Sequence, residues 1–293
     1  MIRGRPSQTA EVVCLLRATD QRRRPAQRIL DDPYARWFLG PLASATLATW
    51  EASGRLGDLA ERLSPGVTTF VLVRHRYIDD RLTAALAGGR IRQVVLLGAG
   101  YDTRAYRFAT ALAGRPVFEV DFPATSGRKA RILARHASEL PKSDVRRVEI
   151  DFQTQSLEER LLASGFEKGR TTFFVWEGVS MYLTREAVKA TLAAMVALGG
   201  ASSELAMDFW YLVDAPDLLS SAYRASTNAL SLVGEPVTFG IHPEDAVAFL
   251  ERQGFHVEEV ADAATLQQRY VHDRRRVHPA MYLVHATADP RRT

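Results

Sequence analysis

Residues 94–107 read VVLLGAGYDTRAYR. A short apolar strand runs into Gly98-Ala99-Gly100, and the pattern predicts a helix opening near Asp102. Glycines at that place let the chain turn sharply and bring its backbone against a ligand, at the carboxyl end of a first buried strand. The chemistry this suggests is the binding of a nucleotide-containing cofactor; a tight strand-to-helix turn without a ligand is the alternative. In VFEVD, Asp121 closes a second apolar run 21 residues after Gly100. A carboxylate there can accept from both hydroxyls of a ribose. A third run ends in Glu149-Ile150-Asp151-Phe152, a carboxylate for an adenine amine beside an apolar ring to cover its face. A fourth run, WEGVSMYL, places Glu177 where its strand would meet the same crevice.

The choice of cofactor turns on two residues. A dinucleotide fingerprint wants a third glycine, and that position holds Thr103. Asp102 would repel a phosphate at the start of the helix but suits a cation such as the ammonium of an amino acid. S-adenosylmethionine carries an adenosine, a sulfonium, an ammonium and a carboxylate but no phosphate, so the residues favour it over NAD.

The elements that must position these residues follow from hydrophobic periodicity. The first 85 or so residues read as helical, with Asp32-Pro33 as a helix start and a strong helix over 67–87 that ends at Gly88-Gly89. Strands follow at 94–97, 117–120, 145–150, 172–176 and 205–209, with helices between them; the clearest is 185–198, capped by Thr184. Apolar strands alternating with helices imply a parallel sheet covered on both faces. A helix over 243–253 precedes strands at 255–260 and 280–286, which have no long helix between them and so permit an antiparallel pair at the sheet edge. Residues 211–241 read as an irregular insertion, a lid over the site.

Composition narrows the class. In 293 residues, 46% are hydrophobic and 25% charged, which excludes a mainly disordered chain. No periodic Gly or Pro and no self-similar segment speak for a fibrous or repeat architecture. The net charge is +4, from 38 basic and 34 acidic residues, and only four of the basic residues are lysines (Lys129, Lys142, Lys168 and Lys189). The Arg clusters at 22–24, 146–147 and 274–276 are short, so nucleic acid is not expected as a partner. With Cys14 as the single cysteine, no intrachain disulfide and no multi-cysteine metal cage can form. No run approaches the roughly 18 apolar residues of a membrane span, so a cytoplasmic protein without a membrane or metal partner is expected.

LGAGYDTRAYR, FEVDFP, EIDF and WEGVSMYL, in that order, resemble the leucine carboxyl methyltransferase family of S-adenosylmethionine-dependent methyltransferases. The likeness extends to the amino-terminal DDPYARWF and VRHRYIDD and to the closing AMYLVHAT. It implies an α/β fold with a doubly wound, mostly parallel seven-stranded sheet, Rossmann-like, with an antiparallel last strand. It also implies a helical cap over 1–87, a methyltransferase domain over 88–293, and O-methylation of small natural-product acceptors in bacterial members. Arg74 looks like the arginine that grips the methionyl carboxylate. Gly98, Ala99, Gly100 and Asp102 match the cofactor loop, Asp121 the ribose acid, and Asp151 with Phe152 the adenine pair. Glu177 and Tyr182 match positions lining the methionine end, and Arg17 a second basic residue closing over the cofactor.

A carboxylate acceptor, with a pKa near ~4, is ionised at neutral pH and needs no base; a phenol or enol hydroxyl near ~10 would benefit from one. Among the seven histidines, none sits in the strand-end motifs, and the nearest, His75 and His242, read as structural or surface residues. The expectation is therefore a methyl ester formed on a carboxylate of a small acceptor. Arg74 and Tyr182 orient it, and no residue serves as general base. Hydroxyl methylation is the competitor, and an NAD(P) oxidoreductase or a non-enzymatic binding module is a more distant one. The identity of the acceptor and the oligomeric state are left open.

Overall fold

A computed structural model describes residues 7–53, 61, 65–152, 154–211 and 237–289. Seven strands form one sheet: β1 (Gln93–Leu97), β2 (Val117–Asp121), β3 (Val145–Glu149), β4 (Thr172–Trp176), β5 (Glu204–Trp210), β6 (Phe255–Ala261) and β7 (Met281–Ala288). Their order is β3-β2-β1-β4-β5-β7-β6. The first five run parallel, and β7 lies antiparallel between β5 and β6. This is the doubly wound arrangement with an antiparallel last strand.

The uninterrupted apolar runs are explained by two-sided burial. Successive strand residues point to opposite faces, and each face carries its own core. Val94, Leu96, Phe173 and Val175 pack on one side with Phe70, Tyr77 and Leu82 of α3 (Val67–Ala87). Val95, Leu97, Phe174 and Trp176 pack on the other with Val188, Leu192 and Met195 of α7 (Arg185–Leu198). The edge strand β3 is only partly buried, which is why VRRVE tolerates two arginines.

Helix boundaries follow local chemistry. Thr184 accepts from Ala187 N–H at the start of α7, and Ser7 accepts from Ala10 N–H at the start of α1 (Gln8–Gln21). α3 spans the predicted 67–87 and stops at Gly88-Gly89, where Gly89 takes φ 71°. Helix α2 (Pro41–Ser53) touches α1 through a small cluster of Ala18, Ala35 and Leu47. α3, although on the amino-terminal side of a boundary at 87/88, belongs to the sheet's own core.

The helix expected to open near Asp102 starts at Arg104 and is a single turn, α4 (Arg104–Arg107), with Asp102 accepting from Arg104 N–H at 2.7 Å. One expectation is corrected. Asp32-Pro33 starts only a 3-10 turn (Ala35–Phe38). One Asp32 oxygen accepts from Tyr34 and Ala35 N–H, while the other serves Arg17 and Thr103. On the outer faces lie α5 (Pro123–Arg135), α6 (Leu157–Ala163), α8 (Pro243–Glu251) and α9 (Ala263–Tyr270), the last a short helix between β6 and β7. Of the expected insertion over 211–241, residues 212–236 lie outside the described residues. Its described end is anchored: Thr238 and Phe239 N–H donate to Met181 O, and Ile241 N–H to Trp210 O. Among the described residues no helix is long and apolar enough to cross a membrane.

Candidate cofactor and acceptor cavity

The carboxyl ends of β1, β2 and β4 open into one cavity of about 550 Å³. That is a size suited to a small ligand (about 300–1,000 Å³). Its floor is the loop after β1. Gly98 and Ala99 N–H both donate to Val120 O, which folds the loop back over the end of β2. Gly98 has φ 66°, and a Cβ there would lie 2.1 Å from Val179 Cγ2. Any side chain here would be strained in the backbone and would displace Val179. Gly100, at φ 46°, donates its N–H to Asp121 Oδ2.

Asp121 is buried and accepts from Gly100 and Phe122 N–H. Burial pushes its pKa up to about 6, against the two N–H groups that favour the anion. A buried carboxylate raised in this way still has acceptor capacity, which two ribose hydroxyls would fill. Asp151 and Phe152, after β3, are half-buried on the cavity wall, and the Phe152 ring packs against the core of that face. These features fit an adenosine group.

A dense network of buried charge forms the other wall. Arg74 Nε donates to Glu177 Oε1 at 2.9 Å and its Nη1 to Asp208 Oδ2 at 2.8 Å. Asp208 also accepts from Gly178 N–H at 2.7 Å and Trp210 Nε1 at 3.0 Å. Arg104, 1% exposed, is the hub. Its Nε reaches Asp79 at 2.6 Å, and its Nη1 reaches Glu177 Oε2 at 2.7 Å and Asp102 as well. Arg107 adds a second cation to Asp79 at 2.6 Å. His75 Nδ1 lies 2.7 Å from Glu177 Oε1. Burial works against the Glu177 carboxylate, but the His75 ring N–H and the guanidiniums of Arg104 and Arg74 hold it well below the usual carboxylate range. Asp102 is held low in the same way: burial opposes the charge and Arg104 outweighs it.

α1 closes the cavity. Arg17 donates to Asp32 Oδ2 and to Tyr101 O, each at 2.8 Å, which ties the helix to the loop after β1. Its Nε is buried without a hydrogen-bond partner among the described residues. Tyr182, in the 3-10 turn Ser180–Tyr182, is half-buried on the wall.

The cavity thus gathers Arg17, Arg74, the Gly98–Gly100 loop, Asp102, Asp121, Asp151, Phe152, Glu177 and Tyr182. Three participants escaped sequence reasoning. Asp208 had a readable signal, an acid inside the buried run LAMDFW. Arg104 and Asp79 stood within quoted motifs, but nothing in one dimension reveals that they meet. His75 is fully inside the cavity wall rather than on the surface, and His242 instead packs its ring on Tyr211, 4.9 Å between centroids. No group of three or more potential metal ligands occurs among the described residues.

The family model described as leucine carboxyl methyltransferase matches residues 10–196. A candidate S-adenosyl-L-methionine-dependent methyltransferase of Parafrankia sp. (strain EAN1pec) is 34% identical over 201 residues. The match covers 68% of this chain but only 62% of the relative's length. Another, from Mycobacterium avium (strain 104), is 31% identical over 258 residues, 86% of this chain and 78% of that protein. Among solved structures, a DUF574 family protein from Streptomyces avermitilis superposes with a TM-score of 0.65 over 97% of this chain and 98% of its own. At 15% identity, that likeness concerns the fold alone.

Proposed function

This chain belongs to the leucine carboxyl methyltransferase family, whose members are S-adenosylmethionine-dependent methyltransferases. On that premise we propose that its cavity seats S-adenosylmethionine and that the methyl group goes to an oxygen of a small, largely apolar acceptor. The observation that carries this reading is the convergence of the glycine loop, Asp121, Asp151 and Glu177 on one cavity.

Bound there, S-adenosylmethionine supplies an electrophilic methyl group on a sulfonium. The chain's own residues bind and orient. Asp121 takes the ribose hydroxyls, Asp151 the adenine amine, and Phe152 covers the base. Asp102 and Glu177, both anionic, suit the ammonium, and Arg74 and Arg17 supply positive charge for the carboxylate. Arg74 does so from within its pairs with Glu177 and Asp208, so it is oriented before any ligand arrives. Positioning and the exclusion of water by α1 can supply on the order of 7–11 kcal/mol of the barrier.

A carboxylate acceptor is the first reading, because it needs no base and agrees with the family's name. A hydroxyl acceptor is the second, favoured by His75 standing beside Glu177 in the wall. Calorimetry with S-adenosylhomocysteine and with NAD tests the common premise. Binding of the first and not the second is expected; binding of NAD alone would sink the proposal.

A further inference from the structure

His75 is a titratable side chain in the cavity wall to which the cofactor gives no task. Its Nδ1 lies 2.7 Å from Glu177 Oε1 and 2.9 Å from Val71 O. Both are acceptors, so Nδ1 carries the hydrogen and Nε2 keeps a lone pair. Among the described residues nothing hydrogen-bonds to Nε2. The partners are themselves fixed: Glu177 is held by Arg74 and Arg104, and Arg104 Nη2 donates to His75 O at 3.2 Å. Val71 O accepts from Nδ1 and fixes the ring, and the Glu177 carboxylate faces the charge the ring would gain; a histidine held in this way can act as a base.

The surroundings bear on what that base would meet. Val67, Val71, Met181 and Trp210 line the same cavity, an apolar setting. Arg17 and Arg74, the arginines lining it, are paired with protein carboxylates, Asp32 for the first and Glu177 with Asp208 for the second, and Arg17 Nε, which has no partner among the described residues, is taken by the methyl donor's own carboxylate. A second carboxylate brought in by the acceptor would find no cation of its own there. We infer that His75 is the general base of the methyl transfer and that the acceptor's reacting group is a hydroxyl on an apolar, phenol-like body. The inference rests on the methyltransferase reading above and takes its second acceptor, a hydroxyl, over the carboxylate.

In the step, the acceptor's O–H bond breaks and its proton passes to Nε2. The oxygen's electron pair forms the new O–CH₃ bond, and the pair of the broken carbon–sulfur bond stays on the donor's sulfur. The imidazolium, faced by Glu177, then releases its proton to water. The charged groups around the ring are Glu177 after β4, Arg74 beside it on α3, Arg17 on α1 and Arg104 on α4. Burial acts most strongly and lowers the ring's pKa from its ordinary 6.5. Glu177 pulls upward, and Arg17 and Arg104 add to the lowering. That direction favours the neutral ring, the form a base requires.

The test uses the whole protein saturated with S-adenosylhomocysteine, with ¹⁵N-histidine spectra at pH 7.5 and His75 assigned by its absence in His75→Gln. A neutral ring with the hydrogen on Nδ1 is expected; an imidazolium or an Nε2–H tautomer overturns the inference. In parallel, phenol and benzoate serve as acceptor probes with S-adenosylmethionine. Methyl ether from phenol is expected, falling about 10²–10⁴-fold in His75→Gln while the S-adenosylhomocysteine Kd stays within about twofold. Methyl benzoate formed equally by both proteins overturns it. Should neither probe react, the tautomer decides alone. Failure to bind S-adenosylhomocysteine at all would instead overturn the methyltransferase reading.

Discussion

The end of β2 and the end of β4 each present one buried carboxylate to the same cavity, and the protein treats them in opposite ways. Asp121 receives two backbone N–H groups and no ion pair among the described residues, and burial lifts it to about 6. Glu177 receives Arg74, Arg104 and His75 and stays anionic far into acid. The difference separates a carboxylate with unused acceptor capacity from one that, besides facing the cavity, holds other side chains in place. An underpaired carboxylate is tolerable only where something else completes it, whereas a fully paired one can fix a ring or a guanidinium in place.

The largest way to break the contrast is to empty the paired side. Arg104→Leu removes the cation that Asp79, Asp102 and Glu177 share, leaving buried carboxylates with fewer partners. Breaking a buried pair in this way costs about 3–5 kcal/mol. Denaturant unfolding should show that loss, with the His75 ring released from its fixed tautomer. A loss below about 1 kcal/mol would mean that the hub is not what holds this wall.

How much of this could be read beforehand divides along the same line. The β1 loop, Asp121 and Asp151 were legible because each sits at a strand end, where periodicity alone fixes the direction of the chain. Strand order and the antiparallel β7 were legible in part, since short connections and apolar runs leave few topologies. The paired wall was not. Arg104 and Glu177 are 73 residues apart and Arg74 and Asp208 are 134 apart, joined only once α3 lies on the sheet. The resemblance presents Arg74 as the arginine that grips the methionyl carboxylate; that it also pairs with Glu177 and Asp208 is visible only in the fold. In the sequence His75 reads as a structural or surface residue, because Glu177, which it faces in the fold, is distant along the chain.

The seam between the two regions is Gly98 against Val179. An Ala at 98 needs a left-handed backbone, unfavourable by about 1–2 kcal/mol for an L-residue. Its Cβ would also overlap Val179 Cγ2 at 2.1 Å, adding about 1–2 kcal/mol of packing strain. Gly98→Ala should therefore lose about 2–4 kcal/mol and weaken S-adenosylhomocysteine binding. Val179→Ala in the same chain should restore the packing share and leave the backbone share. No recovery in the double variant would show that the loop and the β4 end are not in contact there.

The gentlest test uses pH. Asp121 has a folded pKa of about 6 against an ordinary 3.8. A raised folded value means that its contribution to stability is complete below 3.8 and is lost as pH rises through about 6. Two pKa units correspond to about 3 kcal/mol at most. The stability of the wild type relative to Asp121→Asn should thus fall by about 2–3 kcal/mol between pH 4 and 7. The difference between the two proteins cancels His75, whose lowered value acts in the opposite sense below 6.5. Glu177 lies on the other side: its lowered folded value makes its contribution present above 4.5 and lost only as pH falls well below that. Ligand binding reverses the first slope. If the ionised Asp121 accepts ribose hydroxyls, S-adenosylhomocysteine should bind about tenfold more weakly for each pH unit below about 6, and Asp121→Asn should show no such dependence. A wild type whose affinity is flat across that range would mean the open carboxylate is not the one the ligand completes.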